Sequence, residues 1–385
     1  MAERKVRLPA TVIALGVTSF FTDVASEAVF PLLPGFLALL GAGPTFLGLI
    51  EGLADAVSAW LKYQSGRWAD RGAKKGFVLA GYALATTVRP LLALATAPWH
   101  VLAIRVTDRV GKGVRSAPRD ALIAGAVPAE ESGRAFGFHA AMDHAGAVVG
   151  PLLATGLLLL GVQVRTVFAL TLIPGLLAVA SVLVVKEPEA ARPSSAQRAH
   201  HDATPLPKKL RSLFVIIGFF ALGNSSDAFL LLRAGELGVK TALLPMAWLL
   251  LNVSKMFWAS RGGAWSDRMA RHRLILAGWA VYALSYGLFA VASEPWHAWA
   301  LLGFYGAFAG LTEPVEKALV KELAPKELHG RAFGVYHGVI GATAIPSGLL
   351  TGLLWQQFGP AAALGTGAAV AAISAVWLIS WARLR

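Results

Sequence analysis

Long apolar segments alternate along this chain with short polar ones. Each apolar segment runs for about twenty residues or more, which is the length that an α-helix needs to cross a bilayer. The pattern predicts twelve spans, at residues 11–39, 44–65, 76–96, 98–124, 134–160, 165–185, 211–234, 241–262, 273–292, 297–320, 331–356 and 360–382. We therefore expect an all-α membrane protein built from twelve transmembrane helices.

The composition supports this expectation. Of the 385 residues, 56% are hydrophobic and 15% are charged, whereas soluble domains carry about 25% charged residues. The formal net charge is +13, but the basic residues collect in alternate loops, as the positive-inside rule requires. The charge therefore indicates a multi-pass protein of the inner (plasma) membrane with both termini in the cytoplasm, and it gives no reason to expect nucleic acid as a partner.

Three short motifs recur at one fixed offset of 197 residues. The pairs are Pro98-Trp99-His100 with Pro295-Trp296-His297, Gly66-x-Trp68-x-Asp70-Arg71 with Gly263-x-Trp265-x-Asp267-Arg268, and Gly133-Arg-Ala-Phe-Gly137 with Gly330-Arg-Ala-Phe-Gly334. Since chance does not give one offset three times, we expect two six-helix halves, residues 1–185 and 211–385, joined by a polar cytoplasmic linker at 186–210. Two such halves, related by an axis along the membrane normal, are an architecture of transporters.

The fourth predicted span carries more charge than a helix surrounded by lipid tolerates. Its interior holds Arg105, Asp108, Arg109 and Lys112. A charge at the centre of a lone helix costs about 2.5–3.5 kcal/mol on insertion scales, so these groups must face other helices or water. We therefore expect this helix to form the wall of a polar cavity, with the other helices placed around it.

Carboxylates enter the membrane in the first span of each predicted half. Asp23 and Glu27 lie one turn apart and share a helix face, and Ser26-Glu27-Ala28 matches Ser226-Asp227-Ala228 in the seventh span. Burial disfavours the charged form of a carboxylate and a nearby arginine favours it, so such a group can load and release a proton as water access changes sides. Asp23, Glu27 and Asp227 are the predicted proton-coupling residues, and a fixed ion pair with the fourth-span arginines is the alternative.

Other polar side chains inside the predicted spans are expected to line the cavity. With the fourth-span residues Arg105, Asp108, Arg109 and Lys112, the set comprises Glu51, Asp55, Asn224, Asn252, Lys255 and Glu313. For Lys255, contact with substrate and pairing with Glu313 both stay open. In the fifth span, His139 and Asp143 share a face, which is compatible with a metal-ligand pair or a proton relay. Two ligands on one helix are not a metal site, and we expect none.

Three stretches resemble motifs of the major facilitator superfamily. The loop from Gly66 to Lys75 is similar to the family pattern G-x-x-x-D-R-x-G-R/K-R/K, with the last glycine one place early. The loop from Gly263 to His272 repeats part of this pattern. The fourth span is similar to R-x-x-x-G-x-G-x-G, with Arg109 in place of the first glycine. The matching residues there are Arg105, Gly111 and Gly113. The fifth span is similar to a pattern of the drug and metabolite exporter branch, G-x8-G-x3-G-P-x-x-G-G, with Ala154-Thr155 in place of the final glycines. The matching residues are Gly137, Gly146, Gly150 and Pro151.

The resemblance implies the twelve-helix facilitator fold and transport by alternating access between the two sides of the membrane. It implies that Arg105 acts in proton transfer or binds a charge of the substrate. Because the fifth-span motif accompanies antiporters in that family, the resemblance favours export. The loop-motif residues that it assigns to holding one face closed are Gly66, Asp70, Arg71, Gly263, Asp267 and Arg268.

Neither an enzyme nor an ATP-driven pump is expected. The sequence has no Walker loop, no dinucleotide-binding glycine loop and no hydrolase arrangement of Ser and His, so no cofactor is predicted. The expected function is proton-coupled export of a small organic solute by a monomer whose partners are the substrate, protons and the lipid bilayer. Uptake or exchange of an anionic metabolite, export of a metal ion or metal chelate, and sensing or scaffolding without transport are the alternatives.

Overall fold

The computed structural model describes residues 8–69, 74–128, 132–187, 205–266, 268–325 and 328–383. Within these ranges the chain forms helices and turns but no β-strand. The α-helices, numbered in chain order, are α1 Ala10–Val29, α2 Leu33–Leu39, α3 Pro44–Ala69, α4 Lys74–Val88, α5 Pro98–Gly125, α6 Ser132–Leu159, α7 Val164–Leu170, α8 Leu172–Leu183, α9 Lys208–Gly223, α10 Ala228–Glu236, α11 Leu244–Ser266, α12 Arg271–Val291, α13 Pro295–Leu323, α14 His329–Phe358 and α15 Pro360–Arg383.

The helices confirm the predicted fold class, an all-α bundle of twelve spans. In the described part of the chain, nine stretches are long and apolar enough to cross a membrane: Ala10–Leu39, Lys74–Leu94, Arg134–Leu159, Val164–Leu183, Lys208–Glu236, Thr241–Ser266, Arg271–Val291, Arg331–Phe358 and Pro360–Arg383. The other three spans are α3, α5 and α13, which have 26, 28 and 29 residues. At ~1.5 Å per residue each is long enough to cross the bilayer, and each carries several charged residues.

Several spans are interrupted, and the sequence explains where. In the seventh span α9 ends at Gly223 and α10 begins at Ala228. The residues between them, Asn-Ser-Ser-Asp, have short polar side chains that compete for the hydrogen bonds of the backbone. Ser226 Oγ accepts such a bond from the N–H of Ala228 at 3.3 Å. Pro31 and Pro90 lie at the interruptions of the first and third spans. Proline interrupts a helix because it has no N–H for the next backbone hydrogen bond.

One compact unit comprises Met1–Phe30 and Trp60–Arg192. In this unit α6 packs along α1 in the same direction, from Phe138 against Gly16 to Gly150 against the carbonyl of Val24. By contrast, α4 and α5 pack in opposite directions. Two odd-numbered spans are therefore parallel and two consecutive spans antiparallel, as a chain that crosses the membrane at every span requires.

A second compact unit comprises Pro31–Ala59 and Pro193–Arg385. Here α3 and α14 come closest where the backbone of Gly48 meets the backbone of Gly348, and a Cβ atom at either position has no room. An aromatic core lies elsewhere in this unit, with Phe220 stacked on Trp279 at 4.5 Å between ring centroids. The rings of Tyr282, Tyr286, Tyr305 and Phe308 surround them.

The units differ from the halves that the repeat defines, because residues 31–59 group with the second unit. Compactness and internal repetition are different criteria. The division into residues 1–185, a linker at 186–210 and residues 211–385 therefore stays a prediction.

Candidate functional site

The charged face of α5 is the centre of the polar site in the first unit. Arg105, Asp108 and Arg115 are buried, with 5–6% of each residue exposed. Asp108 Oδ1 accepts a hydrogen bond of 2.6 Å from Nη2 of Arg89, and Arg89 Nη1 also donates to the carbonyl of Thr22 at 3.4 Å. This buried ion pair joins the first, third and fourth spans.

Sequence reasoning missed Arg89. Its signal was a single charged residue inside the otherwise apolar third span, directly before Pro90. A buried ion pair whose partner is removed leaves an uncompensated charge and loses about 3–5 kcal/mol of stability. In this structure the Asp108 carboxylate is therefore engaged by Arg89, and its place in a substrate cavity stays a prediction.

The remaining cations of α5 differ in their surroundings. The guanidinium carbon of Arg105 lies 5.1 Å from the ring centroid of Phe30, and that of Arg115 lies 4.4 Å from the ring of Tyr82. Arg109 Nε is buried and has no hydrogen-bond partner among the described residues. Lys112 interacts electrostatically with Arg109, Lys62 and Asp23. Arg109 and Lys112 are thus the α5 cations that are best placed to meet an incoming charge.

The predicted carboxylates of α1 lie beside this face. Asp23 is half-buried and interacts electrostatically with Asp143 of α6, with Glu27 and with Lys112. Ser26 Oγ lies 3.5 Å from Glu27 Oε1 and donates to it. The structure therefore brings Asp23 and Glu27 together with a lysine of α5 and with a third carboxylate.

The interruption of the seventh span is the centre of the polar site in the second unit. Asp227 forms an ion pair with Lys255 of α11, and Tyr305 Oη donates to Asp227 Oδ1 at 2.9 Å. The side chains of Asp227 and Lys255 stay 20% and 26% exposed, so a ligand can reach the pair. Lys255 Nζ also lies 5.3 Å from the ring centroid of Trp248.

The other predicted cavity residues of this unit are less closely grouped. Asn224 lies half-buried in the interruption, and Asn252 Nδ2 is buried with no hydrogen-bond partner among the described residues. Glu313 is exposed and pairs with Lys317 at 2.8 Å, whereas Lys255 pairs with Asp227. On α3, Glu51 is buried and Asp55 is exposed.

The motif residues differ in their surroundings. Gly146 and Gly150 lie against the backbone of α1, and Pro151 is buried within α6, so this part of the fifth-span motif permits close helix packing. A Cβ atom on Gly137 or Gly263 would meet nothing within 4 Å. Gly66 lies near the end of α3, and Arg268 is exposed after α11. The other predicted gating residues, Asp70, Arg71 and Asp267, lie outside the described residues.

Two further polar contacts escaped the predicted site list. His139 Nδ1 lies 3.5 Å from Asp143 Oδ2 on α6, and Tyr336 Oη donates to Glu316 Oε2 at 2.9 Å. Sequence spacing did signal that His139 and Asp143 share a face. In the described part of the chain, no three His, Asp or Glu side chains are grouped to hold a metal ion.

Comparison with known proteins decides the family. The sequence profile of the Major Facilitator Superfamily matches residues 15–261 and 257–385. This chain belongs to the Major Facilitator Superfamily. It is 30% identical over 97% of its length to an MFS-type transporter of Methanocaldococcus jannaschii, covering 95% of that protein. It is 29% identical over 82% of its length to the multidrug resistance efflux pump PmrA of Streptococcus pneumoniae, covering 82% of that pump.

Solved structures show the same fold. A bacterial homologue of the human lysosomal transporter Spinster superposes with a TM-score of 0.75 at 15% identity, covering 97% of this chain and 96% of the homologue. Proteins of this superfamily are transporters and not enzymes. The chain is therefore a multi-pass membrane transporter of the facilitator fold.

Proposed function

We propose that this facilitator exports a small organic solute in exchange for protons, by alternating access. The observation that carries the proposal is the cluster in the first unit, where Asp23 and Glu27 share their surroundings with Asp143 and Lys112. Such a cluster can gain or lose one proton and still keep its cation compensated by a carboxylate. The relationship to a multidrug efflux pump at 29% identity supports the direction of transport.

In the proposed cycle a proton and the solute compete for the polar sites. A proton bound at Asp23 or Glu27 frees Lys112 from its carboxylate neighbours, and loss of that proton restores the compensation. In the second unit Asp227 exchanges partners in the same way, because a proton or a cationic solute group on Asp227 releases Lys255. Tyr305 fixes the position of the Asp227 carboxylate during this exchange.

A second candidate is uptake or exchange of an anionic metabolite. The specific observation in its favour is Arg109, whose buried Nε has no hydrogen-bond partner among the described residues. A carboxylate or phosphate of the solute binds a guanidinium through two parallel hydrogen bonds. Lys112, three residues later on α5, would hold a second negative charge.

The proposed setting is the inner membrane, with a monomer whose termini face the cytoplasm and whose loop residues Asp70 and Arg71 hold that face closed. The chain contains no cysteine, so single-cysteine variants test the topology directly. Ser293→Cys should react with an impermeant maleimide in intact cells. Met269→Cys, also exposed, should react only after the cells are opened, and the reverse pattern would invert the orientation.

Reconstitution tests the transport proposal. In proteoliposomes, fluorescence measures the movement of ethidium, a lipophilic cation, and of carboxyfluorescein, an organic anion. The internal pH is recorded at the same time. The proposal expects a proton gradient to drive the movement of ethidium, with protons moving the other way. Anion exchange without proton movement would favour the second candidate, and failure of a panel of cations and anions to move under any gradient would contradict transport of small organic ions.

A further inference from the structure

His139, which the proposed cycle does not use, pairs on α6 with Asp143, a half-buried member of the proposed coupling cluster. His139 is 4% exposed, and its Nδ1 lies 3.5 Å from Asp143 Oδ2, one turn further along the helix. On the far side of each group an atom is left over: His139 Nε2 and Asp143 Oδ1 are buried and have no hydrogen-bond partner among the described residues. The pair therefore has a buried polar atom without a partner at each end.

The pair points along α6 towards the carboxylates of α1. The Cβ atom of Asp23 lies beside Gly146, which is one turn beyond Asp143, and Asp143 and Asp23 interact electrostatically. Glu27 follows Asp23 by one more turn on α1. Because α1 and α6 run in the same direction, the four groups follow one another along the two helices.

The charged groups around the pair come from two other helices, α5 and α1. From α5, Arg119 and Asp120 interact electrostatically with His139, but Arg119 already forms an ion pair with Asp120 at 2.8 Å. From α1, Asp23 faces Asp143.

We propose that His139 and Asp143 relay protons between the N-terminal end of α6 and the coupling carboxylates Asp23 and Glu27. This inference rests on the proposed proton coupling and names its route. His139 and Asp143 are positioning and relay residues, since neither has to touch the solute.

Each step of the relay moves one proton. A proton that binds Nε2 turns the ring of His139 into an imidazolium, which draws Asp143 closer by about 0.5 Å into hydrogen-bond range. The Nδ1–H bond then breaks as an O–H bond forms on Asp143 Oδ2, which leaves His139 neutral with its remaining proton on Nε2. Tautomer exchange that returns a proton to Nδ1 resets the ring for the next transfer. Rotation of the Asp143 carboxyl turns the O–H towards Asp23, where that bond breaks and an O–H bond on Asp23 forms.

The second unit lacks this arrangement at the corresponding positions. The residue 197 positions after His139 is Tyr336, whose hydroxyl is engaged by Glu316. The residue 197 positions after Asp143 is Ile340, which carries no proton. A relay of this kind is therefore a feature of α6 and not of helix packing in the fold.

Infrared spectroscopy after a proton jump tests the relay without a known solute. A laser flash releases protons from a caged compound in a suspension of nanodiscs that hold the purified protein. The C=O band of protonated carboxyl groups is followed in time, and Asp23→Asn identifies the Asp23 component. His139→Gln and Asp143→Asn are compared with His144→Gln, an exposed neighbour on α6 that serves as the matched control.

The relay predicts that His139→Gln and Asp143→Asn slow the rise of the Asp23 band about tenfold or more, and that His144→Gln leaves it unchanged. Imidazole added to His139→Ala should restore part of the rate, which a structural role of the ring would not do. Should Asp143→Asn fail to fold, the two His139 variants carry the test.

Two results contradict the inference, and they differ in whether the proposed proton coupling is also contradicted. An Asp23 band that rises at the native rate in both His139→Gln and Asp143→Asn overturns the relay alone. Absence of any band that Asp23→Asn removes overturns the relay together with the proposed coupling at Asp23.

Discussion

At corresponding positions of the repeat, the two units form the same helix contact with different side chains. In the first, Arg89 and Asp108 form a buried ion pair between the third and fourth spans. The residues 197 positions later are Tyr286 and Tyr305, whose rings lie 5.9 Å apart between the ninth and tenth spans. The repeat therefore preserves the contact and changes its chemical character from a charge pair to a pair of neutral rings.

This difference between the units distinguishes charges that are held in a buried ion pair from charges that a solute or a proton can reach. The Arg89–Asp108 pair is almost fully buried, so it compensates its own charges and offers little to a solute. The tyrosines carry no charge themselves. Tyr305 instead donates a hydrogen bond to Asp227, whose ion pair with Lys255 stays partly exposed. In the first unit, the exchangeable groups are instead Asp23, Glu27 and Lys112.

The largest expected effect comes from breaking the fixed pair. Arg89→Met leaves Asp108 buried without its partner and should lower the free energy of unfolding by about 3–5 kcal/mol, as measured by denaturant titration in detergent. The double variant Arg89→Met/Asp108→Leu should recover most of this loss, since no charge stays uncompensated. A single variant as stable as the native chain would show that the pair is not a structural element.

A smaller effect is expected where α6 touches α1. Gly146→Ala introduces a Cβ atom 2.5 Å from the carbonyl oxygen of Phe20 and should cost about 1–3 kcal/mol through overpacking. The matched control is Gly137→Ala on the same helix, where the added atom meets nothing within 4 Å. Equal stabilities of the two variants, compared by thermal unfolding, would contradict the assigned contact.

The smallest of these effects tests the tyrosines. Tyr305→Phe removes the hydrogen bond to Asp227 and should destabilise the protein by about 1 kcal/mol, because the carboxylate is partly exposed and water replaces the lost donor. Tyr286→Phe removes a bond of 3.2 Å to the hydroxyl of Ser225 and the bonds of the Tyr286 hydroxyl with Tyr282 and Tyr305, but no bond to Asp227, and it serves as the control. Tyr305→Phe alone should also change solute affinity, measured by equilibrium binding, whereas an equal change in both would make the contact with Asp227 unimportant.

Much of the fold followed from the sequence, because a bilayer leaves few choices for twelve apolar segments and because charged residues such as Arg105 inside a span must turn inwards. Pairing was harder to predict. The carboxylate of Asp108 was expected to line a cavity, and its partner, Arg89, lies 19 residues earlier on another span. The periodicity of a helix predicts which face a side chain lies on, but not which residue of another helix it contacts. The contact of Tyr305 with Asp227, 78 residues apart, is invisible to sequence spacing for the same reason.

The measurement that tests the central claim most directly is the number of protons moved per ethidium in proteoliposomes, for the native chain and for Asp23→Asn/Glu27→Gln. The account predicts that the native chain moves protons against ethidium. It predicts that the double variant still exchanges ethidium across the membrane but moves fewer protons per ethidium than the native chain, because of the three proposed coupling carboxylates it keeps Asp227 alone. Proton movement per ethidium at the native ratio in the double variant would contradict the claim that these α1 carboxylates couple transport to protons.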